Sequence, residues 1–410
     1  MSKSRNFIDF LITFLIILIA DNPIVVENRF FNLGVFFFLL LVFIYRKLKL
    51  DSQLIYVVFC VTLIIVIQGF QWDISYFTMM TFIVLVVLTP YLAIKIVGIN
   101  YLRITSKIVY YVSIISLFLY LGQVFIPGVT DFLYAIESNF AKYSSLPERP
   151  SIFIYSIAMN TVDEGNISSF LRNPGAFHEP GAFAVFIVLA IVINIMLDDK
   201  PFSKKNIILL IALITTFSTA GFLGIFLVYL VYFFYIKRKD VRVLFVSSIV
   251  FIPLILYVMQ LPFMANKIKD QVMEQSGQSL STGTSGRILG ARKAIVVLGR
   301  YPFAGRGLTQ ASRVTDMTSD EAAGYGYMNF YSQIGIVFSI FYTIYFLKAM
   351  KRISFQYSKD IRLWLLLLVS LAINLFSQKF MGDSFFIMFL FIGVLPEFSF
   401  QNLLKYHHAQ

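Results

Sequence analysis

Twelve apolar runs, each long enough or nearly long enough to cross a bilayer, divide this chain and leave little sequence from which a water-facing surface could be built. They cover approximately residues 7–20, 30–45, 54–70, 76–94, 108–126, 181–197, 207–219, 221–236, 243–261, 329–347, 363–376 and 385–395. Hydrophobic residues make up 58% of the 410 and charged residues only 14%, against about 25% charged in a soluble domain. The expectation is an all-α polytopic membrane protein, residues 1–410 forming a single transmembrane helical domain of about twelve helices.

The cations set the orientation. Arg46, Lys47 and Lys49 follow the second run, Lys95, Arg103 and Lys107 the fourth, and Lys200, Lys204 and Lys205 the sixth. Lys237, Arg238, Lys239 and Arg242 follow the eighth, Lys348, Lys351, Arg352, Lys359 and Arg362 the tenth, and Lys405 lies in the tail. Every even-numbered connection is basic, which places these connections and both termini in the cytoplasm. Most of the formal charge of +12 therefore reports membrane orientation, and nucleic acid is not an expected partner. Lys3 and Arg5 ahead of the first run, with no convincing small-residue cleavage site after it, read as a retained signal anchor. Cys60 is the only cysteine and His178, His407 and His408 are the only histidines, so neither a disulfide framework nor a metal cluster is expected.

Two long connections fall on the outer side, residues 127–180 and 262–328, and connections of that length inside a compact protein are usually functional. The second carries STGTSGRILGARKAIVVLGRYPFAGRGLTQASR, with Arg287, Arg292, Arg300 and Arg306 among six cations on a side where Lys and Arg are normally sparse. Its glycines permit tight turns and close backbone approach, and arginines suit bidentate recognition of phosphate. This combination points to a pyrophosphate site. If ILGARKAIVVLGR is helical, Arg287 starts the helix, Arg292 is central and Arg300 ends it, while the apolar face packs on the bundle. Arg300 and Arg306 then read equally well as capping or loop cations. No GxxxxGK[ST] sequence occurs, which argues against nucleotide hydrolysis.

The first loop ends in SFLRNPGAFHEPGAFA, where Arg172, His178 and Glu179 sit within eight residues between Pro/Gly bends. In one reading Glu179 caps a helix and Arg172 is its surface ion-pair partner. In the other, Glu179 or His178 orients and deprotonates a sugar hydroxyl while Arg172 holds a phosphate. A carboxylate among arginines is a weak base, so that chemistry leans on arginines neutralising the leaving group. Tyr325, Tyr327 and Asn329 could line a sugar site, or the tyrosines could belong to an interfacial belt.

RNPGAFHEPGAFA (172–184), FSTAGFLGIFL (217–227), GRILGARKAIVVLGRYPFAGRGL (286–308) and GYMNFYSQIGIVFS (326–339) resemble the O-antigen polymerase and O-antigen ligase superfamily, the Wzy-type membrane glycosyltransferases. The likeness extends to the topology of about twelve spans and two large periplasmic loops. It implies a membrane glycosyltransferase C (GT-C) fold in the bacterial inner membrane, with the active site facing the periplasm and neither metal nor cofactor required. The implied reaction transfers a growing glycan from undecaprenyl pyrophosphate to the non-reducing end of a lipid-linked repeat unit, with inversion. Donor and acceptor are both undecaprenyl-pyrophosphate-linked oligosaccharides, membrane lipids surround the bundle, and a chain-length regulator is a candidate partner. The resemblance implies Arg172 and Arg287 as pyrophosphate ligands and Glu179 or His178 as the catalytic group on the acceptor side. On the reading of the loop itself, Arg292, Arg300 and Arg306 remain candidate pyrophosphate ligands, and Tyr325, Tyr327 and Asn329 candidate acceptor or sugar contacts. Ligases of the superfamily place a histidine beside the asparagine ahead of the late span, whereas here Met328 precedes Asn329, which favours a polymerase. FSTAGFLG also has threonine and alanine where many relatives place a serine–arginine pair. The alternatives are an O-antigen ligase and, from another class, a transporter or flippase for lipid-linked oligosaccharide.

Overall fold

The computed structural model describes residues 3–72, 74–144, 146, 148–163, 166–237, 287–307, 326–358, 360–378 and 380–399. In chain order the helices are α1 (Lys3–Asp21), α2 (Arg29–Tyr45), α3 (Ser52–Trp72), α4 (Tyr76–Phe82), α5 (Thr89–Val97), α6 (Tyr101–Phe125) and α7 (Val129–Glu137). They continue with α8 (Pro180–Asp198), α9 (Lys204–Thr216), α10 (Thr219–Val231), α11 (Arg287–Arg300), α12 (Gly326–Ser358), α13 (Trp364–Ser377) and α14 (Ser384–Val394). Wider π-helical turns at Ile83–Leu88 and Tyr232–Ile236 follow α4 and α10.

Eleven of the twelve expected runs coincide with described helices, and the ninth, 243–261, lies outside the described residues. Five of the described helical stretches are long and apolar enough to cross a membrane: Ser52–Gln71, Tyr76–Phe125, Pro180–Asp198, Thr219–Ile236 and Gly326–Ser358. The expected seventh, eleventh and twelfth spans are short: α9, α13 and α14 have 13, 14 and 11 residues, about 17–21 Å of helix, against a hydrocarbon core of about 30 Å. The helical class needs one addition. Loop 127–180 contains α7 and two antiparallel hairpins, β1 (Ser151–Ile152) with β2 (Tyr155–Ser156) and β3 (Asn160–Asp163) with β4 (Asn166–Leu171).

The contacts divide the chain into two compact units. The first comprises Met1–Val35, Val97–Ala265 and Ile353–Asn374, and α8 is its axis. α8 is apolar on every face, and such a helix has to be enclosed by others. Residues Ala182 to Met196 are indeed buried, by α6, α9 and α10. One polar pin sits in this core: Asn194 accepts from Ser106 Oγ at 2.6 Å and donates to Asn206 Oδ1 at 2.9 Å. Pro180 opens α8, where a missing N–H costs nothing. Ser203 and Ser218 cap α9 and α10, each accepting from the backbone N–H three residues on at 3.3 Å.

The second unit comprises Phe36–Ile96, Asn266–Arg352 and Leu375–Gln410. α14 is its most enclosed helix, buried from Phe385 to Gly393 and in contact with the π turn Ile83–Leu88. Arg352 donates from Nη1 to the carbonyls of Ile392 and Leu395, at 2.7 and 2.9 Å, and so closes the end of α14. Lys95 bridges Asp51 and Glu397 at 2.9 and 2.7 Å.

Within each unit the ends that meet are those the charge alternation assigns to one side. Asp21 meets His178 and Arg172 meets the end of α9, all in the outer set. Lys237 meets Asp199, and Lys95 meets Asp51 and Glu397, all in the basic set.

Candidate active site

In the first unit the segment from Arg172 to Glu179 is fixed at several points before any substrate arrives. Asn173 is fully buried; its Nδ2 donates to Ser116 Oγ and Thr215 Oγ1, and its Oδ1 accepts from Gly175 N at 3.0 Å. Phe177 inserts into the core and stacks on Phe186, with ring centroids 4.6 Å apart. Tyr155, fully buried, donates to Gln123 Oε1 at 2.6 Å, and Tyr120 donates to the Leu171 carbonyl at 2.9 Å, so the hairpins are tied to α6.

Arg172 donates from Nε and Nη2 to the carbonyls of Thr216 and Phe217, at 3.1 and 3.2 Å. Those oxygens belong to the C-terminal end of α9, where a cation complements the helix dipole. Phe217 there has φ 47°, a left-handed conformation that a bulky side chain adopts only when its surroundings hold it. Arg172 is thus the clasp of the α9–α10 turn.

His178 and Glu179 follow. His178 N donates to the Asp21 carbonyl at 3.0 Å, and its Nδ1 lies 2.5 Å from Asp21 Oδ1. Nε2 lies 3.9 Å from Glu179 Oε2. Asp21 is 6% exposed at the side chain, whereas His178 and Glu179 are 30% and 34% exposed, so the row runs from the interior to the surface. Burial disfavours the imidazolium, but the attraction of Asp21 and the hydrogen bond to it outweigh that and raise His178 to about 9. Burial raises Asp21 to about 6, against the lowering pull of His178. The partners weigh burial against attraction differently, and the 2.5 Å contact supports the charged pair at neutral pH. An imidazole that keeps its proton there is no general base. Glu179 stands at the cap position of α8 with extended backbone, yet its carboxylate makes no capping hydrogen bond. The capping reading is corrected in that respect.

Asp21 was not among the residues the sequence singled out. It lies 157 positions from His178, and the only local signal is Asp21-Asn22-Pro23 at the end of the first apolar run. Asn22, also buried, donates from Nδ2 to the carbonyls of Phe153 and Ala176, at 2.9 and 2.7 Å.

In the second unit α11 spans Arg287 to Arg300, the bounds its sequence suggests. Ala294 and Val297 face inward at i, i+3 spacing, while Arg292 and Arg300 are exposed. Tyr301 to Gly307 then fold against α12, which is broken at Gly335 (φ 79°, ψ 169°). Ile336 N donates to the Pro302 carbonyl at 2.7 Å, Arg306 N to Ser332 at 2.8 Å, and Gln68 Nε2 to Ala304 and Gln333 at 2.5 and 2.8 Å. The backbones are so close that a Cβ on Gly335 would meet the Phe303 carbonyl oxygen at 2.2 Å, and one on Gly305 would meet that of Gln333 at 2.4 Å. Only glycine fits at these positions.

Arg306 is 3% exposed and donates from Nη2 to Asn329 Oδ1, so two residues expected to contact substrate contact each other. Tyr327 packs its ring 5.8 Å from those of Tyr331 and Phe376. Tyr325 lies outside the described residues, as does the side chain of Arg287. Arg172, His178 and Glu179 belong to the first unit and the remaining candidates to the second. No group of three or more His, Cys, Asp or Glu side chains suited to a metal occurs among the described residues.

The long apolar helices mark a membrane protein. Residues 206–334 match the family model described as O-antigen ligase. The matched stretch supports the O-antigen ligase/polymerase superfamily and a ligase- or polymerase-type function in polysaccharide biosynthesis. It begins in α9, includes Arg287, Arg292, Arg300, Arg306 and Asn329, and ends one residue before Gly335. No curated protein matches the chain.

Proposed function

We propose that the protein is a surface-polysaccharide polymerase of the bacterial inner membrane. It transfers a growing glycan from undecaprenyl pyrophosphate to the non-reducing end of a lipid-linked repeat unit, with inversion and without metal. The observation that carries the reading is the match over residues 206–334, which contains the arginine-bearing helix α11 and the glycine turn that follows it. Arg287, Arg292 and Arg300 of the second unit neutralise the departing pyrophosphate, Arg172 of the first is a separate candidate phosphate ligand, and fixed charges of this kind act strongly where water is scarce. Glu179 takes the acceptor proton late, as the new carbon–oxygen bond forms. Met328 before Asn329 favours polymerase over ligase.

Arg287→Ala should abolish extension of a lipid-linked oligosaccharide by purified protein in EDTA, with the size-exclusion profile unchanged, and Arg172→Ala should abolish it while also loosening the α9–α10 turn. Normal chain growth by both variants would remove the site.

The break in α12 at Gly335 favours a second reading, because broken helices line the substrate sites of many transporters. Here residues 302–307 pack into the break, which is how membrane proteins satisfy irregular backbone away from water. Product lengthening in detergent, where transport has no meaning, separates the two.

A further inference from the structure

The row from Asp21 through His178 to Glu179 contains two residues, Asp21 and His178, that the proposed chemistry does not use. Asp21 ends α1 and is buried, and its Oδ1 contacts His178 Nδ1 at 2.5 Å. Its position is not a matter of side-chain choice alone. Its own carbonyl accepts the His178 N–H at 3.0 Å, and the next residue, Asn22, clamps the Ala176 carbonyl at 2.7 Å. Backbone and side chain therefore converge on the same two-residue stretch from both sides, which fixes the imidazole ring in position and in rotation. With Nδ1 held by Asp21, Nε2 is the nitrogen turned toward Glu179 Oε2, 3.9 Å away.

We infer that Asp21 is a positioning residue that holds His178 as an imidazolium, so that His178 serves as a fixed cation beside the Glu179 carboxylate and not as an acceptor of protons. The link to glycan transfer rests on the proposed function, but the state of His178 does not. The charged groups around the imidazole are Asp21 from α1, Glu179 at the start of α8 and Arg149 from the preceding loop, and Arg149 opposes the two acids. The carboxylates prevail, and the ring is raised to about 9. The imidazolium lies between the two carboxylates and offsets part of their negative charge.

His178, His407 and His408 are the only histidines, which makes the test direct. In full-length protein carrying His407→Gln and His408→Gln, the rate of acylation by diethylpyrocarbonate, which attacks neutral imidazole, reports His178 alone. The midpoint should lie near 9 in that background, and Asp21→Asn should accelerate acylation at pH 7 by more than about tenfold as the ring returns toward an ordinary histidine. Asp21→Glu, which keeps the charge, should restore slow acylation. A midpoint near 6.5 with Asp21 intact overturns the inference without recourse to any Asp21 variant. So does an Asp21→Asn rate equal to that of its parent. For chain extension, the alkaline limb of the kcat–pH profile should move toward neutrality in Asp21→Asn, a change that a merely structural role would not produce. Absence of any chain extension by the parent protein would defeat the proposed function, and the acylation midpoint would still decide the state of His178.

Discussion

The loop ending at Glu179 and the turn ending at Gly307 each lead arginine- and glycine-bearing sequence to a helix, yet they treat charge in opposite ways. In the first, an ionic row climbs from buried Asp21 to half-exposed His178 and Glu179. In the second, Arg306 is enclosed, bonded to Asn329, and the contacts around it are mostly between backbone atoms. Sequence presents Arg172 in the first and the several arginines of the second as candidates for binding an anion. The difference teaches that the first loop leaves His178 and Glu179 partly exposed while Arg172 holds a turn, and that the second encloses its charge to hold a broken helix together. Among the described residues of the second unit the exposed arginines are those of α11, Arg292 and Arg300.

The comparison breaks most visibly at Gly335. Gly335→Ala requires a left-handed φ and drives a Cβ into the Phe303 carbonyl, so it should cost upwards of about 3 kcal/mol. The protein should then aggregate on size-exclusion chromatography. Gly34→Ala is the matched control: nothing lies within 4 Å of the new methyl, and a helical alanine should be neutral or stabilising by about 1 kcal/mol. A Gly335→Ala protein as stable as this control would mean that the turn and α12 are not in contact.

The next effect is smaller. Arg306→Ala leaves Asn329 Oδ1 buried without its charged donor and should lower the thermal midpoint, by an amount corresponding to about 2–4 kcal/mol. Arg292→Ala, on the exposed face of α11, should leave the midpoint alone and weaken donor binding instead. Equal destabilisation by both would erase the distinction between holding and binding cations.

The smallest effect is a pH dependence confined to the first loop. His178 is raised from 6.5 to about 9, so its contribution to stability is complete below about 6.5 and is lost as pH rises through about 9. Asp21 is raised from 3.8 to about 6, so its term is already lost on the way to neutrality. The thermal midpoint should therefore decline between about pH 7 and pH 10, by roughly 1 kcal/mol after solvent screening, and His178→Gln should flatten that slope. An unchanged slope in His178→Gln would assign the alkaline loss elsewhere.

Much of the fold was legible because hydropathy and charge are local. The bounds of α11 could be read from RILGARKAIVVLGR, and the start of α8 from Glu179-Pro180. The hairpins could not, since two-residue strands such as Ser151–Ile152 are too short to show alternation. Gly335 looks like a tolerated glycine inside an apolar run, because its φ is imposed by residues 302–307 and not by its neighbours in sequence. The partnerships of Asp21 with His178 and of Arg306 with Asn329 span 157 and 23 positions. Sequence could name three of those four residues but could not say that two of them satisfy each other.

The amide of Asn22 has a bearing on how the molecule comes into being. During synthesis α1 is made long before its partners exist, because Phe153 and Ala176 follow Asn22 by 131 and 154 residues. Until then the end of the first helix has nothing to grip, and the loop cannot close over it. Docking of that loop is thus a late event in biogenesis, and a substitution at Asn22 should show itself first as slow maturation and degradation by membrane proteases, before any loss in the finished protein.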